Sequence, residues 1–448
     1  MKTKPTGLLF FPAFDWAISP THPEREERLL YTRDQLFEEG IMDLPQIKEY
    51  KPNLAEARDI ARVHFCVPDV AAQITEAHLI SAGSTLVIAD ALMQGEIKNG
   101  FALVRPPGHH SMMVSHGNRG FCNINNEAIM IEYLRQKYKI KRLAVVDTDV
   151  HHGDGTQNIF WHDPEVLFIS FHQDGRTLYP GTGFMDELGG PLAYGTNINI
   201  PLPPRTTDIG IHYVLEHLVM PILKEYQPEL IINSAGQDNH YTDPLADMRF
   251  SAQGYARLNE ILAPDIAVLE GGYSVETALP YVNMGIIMAM AGIDYSHLRE
   301  PDYDPARFKE QNLETIKKIV KTQLQAFQNR EETVQKNRSR GQEFDTIYKN
   351  IYYDTDYISE DQTERLRLCP NCGGFRVILS SAQHRNGKYY DVYCISIPSY
   401  CCSDCHEQAV DMYQQMCGKG GYNFIYLQDR INDQHKSFDS KAEKETVL

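Results

Sequence analysis

An apolar, β-branched run from Leu143 to Val146 passes directly into Asp147, Asp149 and His151, and no other stretch constrains the fold of this chain as strongly. A short run of that composition makes a strand buried on both faces, which is the environment of a parallel sheet. In an extended chain, side chains at i, i+2 and i+4 project to one side, so two carboxylates and an imidazole leave the strand together. They do so just before the glycine-rich turn around Asp154. Ligands of open α/β sheets bind beyond the carboxyl ends of the strands, and three donors converging there read as a metal site rather than a solvated turn.

The surrounding pattern agrees. Residues 6–11, 101–104, 166–171, 197–201, 230–234 and 266–269 read as strands, and 71–91, 123–137, 211–226 and 255–262 as helices. This alternation predicts a parallel sheet covered on both faces by helices. A length of 448 residues predicts one large domain plus something smaller, and 42% apolar residues suffice for a core. A formal charge of −17 argues against general affinity for nucleic acid or an anionic membrane. No apolar run approaches the ~20 residues needed to span a bilayer. The opening Met1 to Lys4 and the apolar residues up to Phe11 imitate a signal peptide, but Pro12, Asp15 and Trp16 interrupt it, so the segment reads as a first core strand.

Further polar clusters follow other strands: His109 and His110 after Pro106-Pro-Gly108, Ser170 to His172, Ser234 to Asp243, and Glu270-Gly-Gly-Tyr273. A catalytic metal takes about three protein ligands and keeps one open position, and Asp149, His151 and Asp243 supply that number. Such a donor set favours zinc, with iron(II) or cobalt as alternatives. The histidine pair is the candidate general base, Asp147 and Asp154 are available to orient it, and Tyr273 can donate to a developing oxyanion. Together these parts predict metal-assisted hydrolysis of an amide. No serine or cysteine nucleophile motif and no phosphate-binding loop competes.

In order along the chain stand Arg-Pro-Pro-Gly-His-His (105–110), Gly-Phe-Cys-x-x-Asn (120–125), Asp-x-Asp-x-His-His-Gly-Asp-Gly (147–155), Tyr-Pro-Gly-Thr-Gly (179–183), Asp-Pro-Leu (243–245) and Glu-Gly-Gly-Tyr (270–273). Over residues 6 to 300 this resembles the zinc-dependent histone deacetylase superfamily, with its bacterial deacetylase-like and acetylpolyamine amidohydrolases. The resemblance implies an arginase-like α/β fold in a catalytic domain at 1–305. It implies Asp149, His151 and Asp243 as zinc ligands, and His110 paired with Asp154 as general base and acid. It also implies His109 paired with Asp147 as the electrostatic second histidine, and Tyr273 as oxyanion donor. Gly120, Phe121 and Tyr179 match the walls of an acyl-lysine tunnel, and Arg28 an arginine of the internal acetate channel. Asp147, Asp149, His151, Ser170 and Phe171 match a structural potassium site. The sequence departs from the family at Thr242, Gln237 and Asn239, and Phe250 falls where a smaller residue lines the tunnel. The implied substrate is an acetylated lysine or a related acetylated amine; acetylpolyamine hydrolysis is the rival within the family. A ureohydrolase gives Tyr273 and the histidine pair no role, and a non-enzymatic binding module would require a lost ligand or tyrosine.

Beyond the catalytic domain, 306–365 reads as an amphipathic helix with its stripe at Leu313, Ile316, Val320, Leu324 and Phe327, followed by an acidic, tyrosine-rich linker at 345–361. Six of the nine cysteines lie between Cys369 and Cys405. Cys369/Cys372 and Cys402/Cys405 form two Cys-x-x-Cys knuckles with 29 residues between them, the spacing of a tetrahedral structural zinc in a ribbon at 366–410. Clustered thiols indicate metal binding in a reducing cytoplasm rather than a disulfide framework. A ribbon of this kind is a docking module, so a protein partner is expected for it. The polar tail at 411–448 is expected to be disordered from about Asp433.

Overall fold

The computed structural model describes residues 4–301, 303–341, 343–384 and 387–448; Met1 to Thr3, the start of the signal-like segment, lie outside them. Eight parallel strands make the first sheet: β1 (Thr6–Phe11), β2 (Ile47–Tyr50), β3 (Asn99–Val104), β4 (Leu143–Asp147), β5 (Val166–Gln173), β6 (Asn197–Leu202), β7 (Leu230–Ala235) and β8 (Ile266–Leu269). Their order across the sheet is β2-β1-β3-β8-β7-β4-β5-β6. The strands that carry the sequence motifs, β3, β8, β7, β4 and β5, are therefore neighbours, and their carboxyl ends form one continuous rim.

Alternate strand residues feed two cores. Phe101, Leu103, Ala144, Val146, Leu167 and Ile169 pack into one, and Ala102, Val104, Leu143, Val145, Val166 and Phe168 into the other. Burial on both faces explains why these strands read as unbroken apolar runs. The first core is closed by helices Ala252–Leu262 and Leu279–Ala291 and by Leu313–Gln328, whose Ile316, Ile319, Val320 and Phe327 are buried. The amphipathic stripe thus packs on the main domain. Helices Glu76–Met93 and Asn126–Tyr138 cover the second face. The helix expected at 71–91 is broken, because Thr75 caps a fresh start at Glu76. No helix among the described residues is long and apolar enough to cross a membrane.

The C-terminal third differs from expectation. Instead of a linker, a 45-residue ribbon and a disordered tail, it forms one seven-stranded sheet in sequence order: β9 (Phe344–Tyr353), β10 (Ile358–Arg367), β11 (Phe375–Gln383), β12 (Tyr389–Ile397), β13 (Phe424–Asp429), β14 (Gln434–Asp439) and β15 (Lys444–Val447). Neighbours are antiparallel except β12 and β13, which are parallel and joined by helix Ser403–Lys419. The 345–361 segment escapes apolar periodicity because the inward positions of β10 include Glu360, Gln362 and Glu364, all buried. Each carboxylate has a partner: Glu360 accepts from the Tyr353 hydroxyl at 2.9 Å, and Glu364 from Lys349 Nζ at 2.7 Å. The tail is ordered by the same logic. Asp433 accepts two hydrogen bonds from Arg62 of the first domain, at 2.7 and 2.8 Å, just before β14.

One face of this sheet packs on its own helix through Phe375, Val377, Tyr393, Ile395, Ala409 and Tyr413. Its other face continues the second core of the catalytic domain through Ile378, Val392, Cys394 and Tyr426. The cysteine-rich unit is therefore docked on the rest of its own chain, not an independent module.

Candidate active site

β4 lies between β5 and β7, with Asp147 opposite both Ser170 and Ser234. Past the strand end the chain turns so that the Asp149 backbone N–H donates to Asp147 Oδ1 at 3.1 Å and the His151 N–H to Asp149 Oδ1 at 2.8 Å. These bonds bring Asp149 and His151 to the rim together. The third member of the cluster is Asp238, three residues beyond the end of β7. Ligand atoms of Asp149, His151 and Asp238 all lie within 4.8 Å of one another, and His151 Nδ1 stands 3.1 Å from an oxygen of each carboxylate.

Asp243, expected as the third ligand, is not among the three donors that lie within 4.8 Å of one another, but it stands beside them. Burial and then the charge on Asp238 raise its pKa to about 7, and His151 acts against that. Its carboxylate accepts the backbone N–H of Tyr273 at 2.7 Å and of Leu245 at 3.0 Å, tying two loops together. The turn after β7 brings Asp238 back against β4, where its Oδ1 accepts the Val150 N–H at 2.9 Å and the residue is fully buried, outside the cavity lining.

Two glycines leave room for these carboxylates. A side chain at Gly236 would reach within 2.1 Å of Asp149 Oδ2, and one at Gly271 within 2.1 Å of Asp238 Oδ2. Buried carboxylates facing one imidazole at these separations form a hard, compact donor set that suits a divalent zinc-type cation.

The histidine pair sits beside it. His109 Nδ1 is 3.1 Å from Asp147 Oδ2, and His110 Nδ1 is 2.8 Å from Asp154 Oδ1. Burial disfavours a charged His109, but the adjacent Asp149 and Asp147 outweigh it and raise its pKa to about 9. Burial, reinforced by the charge on His109, lowers that of His110 to about 3, so it stays neutral. Asp154 begins the helix Asp154–Phe160 and also accepts from Arg119, at 2.6 Å to its Oδ2. Burial would raise its pKa, but Arg119 and His110 overcome that and keep it ionised. The loop bearing both histidines is pinned by Glu270, whose Oε2 accepts the N–H groups of Gly108 at 2.8 Å and His109 at 3.0 Å.

His109, His110, Asp149 and His151, together with Pro107, Gly120, Phe121, Leu178, Tyr179, Leu245, Tyr273 and Asp354, line a cavity of about 270 Å³. The expected walls Gly120, Phe121 and Tyr179 are all present. Phe250 is not: it is fully buried against Tyr255, and Leu245 takes the wall instead. Arg28 lies outside the lining. It is fully buried behind Tyr273, 4.9 Å from the ring centroid, donating to the carbonyls of Gly272 and Glu270 and pairing with Glu24 at 2.9 Å. It braces the segment that presents the tyrosine. The Tyr273 hydroxyl makes no hydrogen bond among the described residues and is left for a ligand. In the second sheet the sulfurs of Cys369, Cys372, Cys402 and Cys405 gather within 4.8 Å, and Cys401 is not in the group.

Comparison with known proteins converges on one family. Residues 68–286 match the model described as histone deacetylase domain. A probable deacetylase of Archaeoglobus fulgidus is 43% identical over 325 residues, 66% of this chain and 89% of that protein. The histone deacetylase-like amidohydrolase of Pseudomonas aeruginosa is 32% identical over 255 residues, 53% of this chain and 66% of that protein. The crystal structure of the HDA15 HD domain superposes with a TM-score of 0.63 at 27% identity, covering 75% of this chain and 99% of that one.

Proposed function

This chain belongs to the histone deacetylase family, and from that premise we propose that the cavity hydrolyses acetylated lysine or a related acetylated amine with Asp149, His151 and Asp243 as its metal ligands and Asp238 buried behind them. As a member of the family it is a metal-dependent deacetylase, a hydrolase acting on amides. The observation that carries the reading is one cavity lined by Asp149 and His151, by His110 with Asp154 behind it, and by an uncommitted tyrosine hydroxyl. Zinc, when bound, supplies a Lewis acid that polarises the amide carbonyl and lowers the pKa of water toward 7.

The remaining chemistry belongs to the side chains. Asp154 occupies Nδ1 of His110, so Nε2 is the nitrogen that takes a proton from the attacking water and returns it to the leaving amine. A neutral His110 is in the right state to begin as a base. His109, kept protonated by Asp147 and Asp149, contributes fixed positive charge as the amide oxygen becomes negative. Tyr273 donates its hydroxyl to that oxygen, and Arg28 and Asp243 hold its backbone in place. Phe121, Tyr179 and Leu245 exclude water along the alkyl chain of the substrate.

Two further ions complete the reading. The register that sets Asp147 beside Ser170 supports a potassium ion held by Asp147, Asp149, His151, Ser170 and Phe171. The thiolate cluster supports a structural zinc on Cys369, Cys372, Cys402 and Cys405. The clustering of the cysteines in metal-binding knuckles, rather than spread along the chain as a disulfide framework, favours a reducing, cytoplasmic location.

The test is zinc content measured alongside acetate release from acetyl-lysine peptides. Asp243→Ala and His151→Ala should lose the catalytic zinc and all turnover. Full zinc occupancy in both variants, or no acetate release by the zinc-loaded native chain, would defeat the proposal.

A further inference from the structure

One wall of the cavity comes from a part of the chain that the reaction itself does not call upon. Asp354 lies in the turn between β9 and β10 of the C-terminal sheet and lines the same cavity as His110 and Tyr273. Its Oδ1 accepts the backbone N–H of Gly120 at 2.9 Å and the hydroxyl of Tyr179 at 3.0 Å, which are two of the cavity walls. In the same turn Asp356 accepts the N–H of Asn118 at 2.6 Å, and the Tyr353 hydroxyl donates to the Val114 carbonyl at 2.9 Å. One hairpin thus grips the loop from Val114 to Phe121 along its length.

That loop needs the grip. Gly120 and Phe121 are both left-handed, at φ +53° and +69°, and a phenylalanine stays there only where its surroundings impose it. There is no slack behind it, since a Cβ on Gly120 would stand 2.4 Å from the His110 ring.

The second carboxylate oxygen of Asp354 makes no hydrogen bond among the described residues. Arg119, the cation of the gripped loop, is already engaged by Asp154 at 2.6 Å. An uncommitted carboxylate oxygen close to the rings of Phe121, Tyr179 and Tyr273 is the chemistry that holds an ammonium group. A net charge of −17 also draws cations toward the molecule.

We propose that Asp354 is a specificity-determining residue supplied by the C-terminal sheet. One oxygen positions the Gly120–Phe121 and Tyr179 walls, and the other takes a positively charged nitrogen on the amine side of the substrate. The inference rests on the deacetylase reading and narrows it to acetylated amines that carry a second, cationic nitrogen. That nitrogen has two sources: the free end of an acetylated diamine, or a basic residue beside an acetyl-lysine.

The zinc-loaded full chain and its Asp354→Asn and Asp354→Ala variants are assayed for acetate release. The substrates are N-acetylputrescine, uncharged N-pentylacetamide of matching length, and acetyl-lysine peptides with neutral or arginine neighbours. In the native chain, kcat/KM should favour the cationic member of each pair. In Asp354→Asn, which keeps an acceptor for the walls, that preference should fall about ten- to a hundredfold, the worth of one charge-assisted hydrogen bond, with the change in KM. Asp354→Ala should lose the preference and also lower kcat, because the walls are no longer held. A preference confined to the diamine pair identifies a free amine as the substrate, and one confined to the peptides identifies a protein. Melting midpoints report on folding; if Asp354→Ala fails to fold, the Asn variant decides alone. An unchanged preference in Asp354→Asn, or none in the native chain, would overturn the inference. Acetate release from no substrate at all would overturn the deacetylase reading and this inference with it.

Discussion

Tyr273 is the residue whose contribution can be isolated most cleanly. Its backbone is tied by Asp243 and braced by Arg28, so removing only the hydroxyl leaves the scaffold in place. Tyr273→Phe should keep the metal and the melting midpoint while turnover drops ~10²–10³-fold, the usual cost of one oxyanion donor; unimpaired turnover would take Tyr273 out of the mechanism. A second single-residue effect lies away from the metal. His64 is buried with Nδ1–H donating to the Met112 carbonyl at 2.8 Å and Nε2 accepting the Asn125 N–H at 2.9 Å, so the neutral ring uses both nitrogens. Burial lowers its pKa to about 4 from an ordinary 6.5. Between those values the unfolded chain binds the extra proton and the folded chain does not, so stability is lost as pH falls from 6.5 to 4. At the lower end the loss from this residue is about 3 kcal/mol. Unfolding free energies measured across that window should therefore slope less steeply in His64→Gln than in the native chain; equal slopes would exclude His64 as the source.

Among the elements, helix Leu313–Gln328 shows how a stripe read from spacing becomes stability. Its Phe327 is fully buried in the first core, with the Arg330 guanidinium 3.7 Å from the ring centroid. Phe327→Ala should cost about 3–5 kcal/mol in denaturant unfolding, the range for a large aromatic lost from a packed core. A loss under about 1 kcal/mol would mean that the helix docks without the phenylalanine. β10 is the contrasting element. Its inward face includes Glu360, Gln362 and Glu364, so its stability depends on paired polar groups rather than apolar area. A reading by alternation of apolar residues passes over such a strand, and for this reason 345–361 looks like a linker in the sequence.

For the molecule as a whole, the two sheets share a core. Ile378, Val392, Cys394 and Tyr426 of the second sheet pack with Ala102, Val104, Val145 and Phe168 of the first. Ending the chain after Arg340 would uncover that surface and remove Asp354 from the cavity. The truncated protein should bind a hydrophobic dye, melt lower, and lose at least tenfold in kcat/KM on any acetylated substrate. Replacing Cys369 and Cys372 together by Ser should produce a milder form of the same defect, since the knuckles lie at one end of the sheet. Full activity in the truncated chain would show that the catalytic domain stands alone.

Strand ends, motif order and local chemistry are short-range properties, and they sufficed to read the parallel sheet, the His109-His110 pair with Asp147 and Asp154 available to it, Tyr273 and the cysteine knuckles from the chain alone. Which aspartate partners which histidine came from the family resemblance. The catalytic groups follow buried apolar runs by a few residues, so their positions are dictated by the strands they leave. The surroundings of Asp238 and Phe250 were a different problem. The path of the turn after β7 seals Asp238 beneath the site, and the same loop turns Phe250 into the core against Tyr255 while Leu245 lines the cavity. Asp354 was beyond sequence reasoning altogether, because an acidic residue in a tyrosine-rich segment acquires its meaning only when the second sheet docks and carries it to Gly120 and Tyr179.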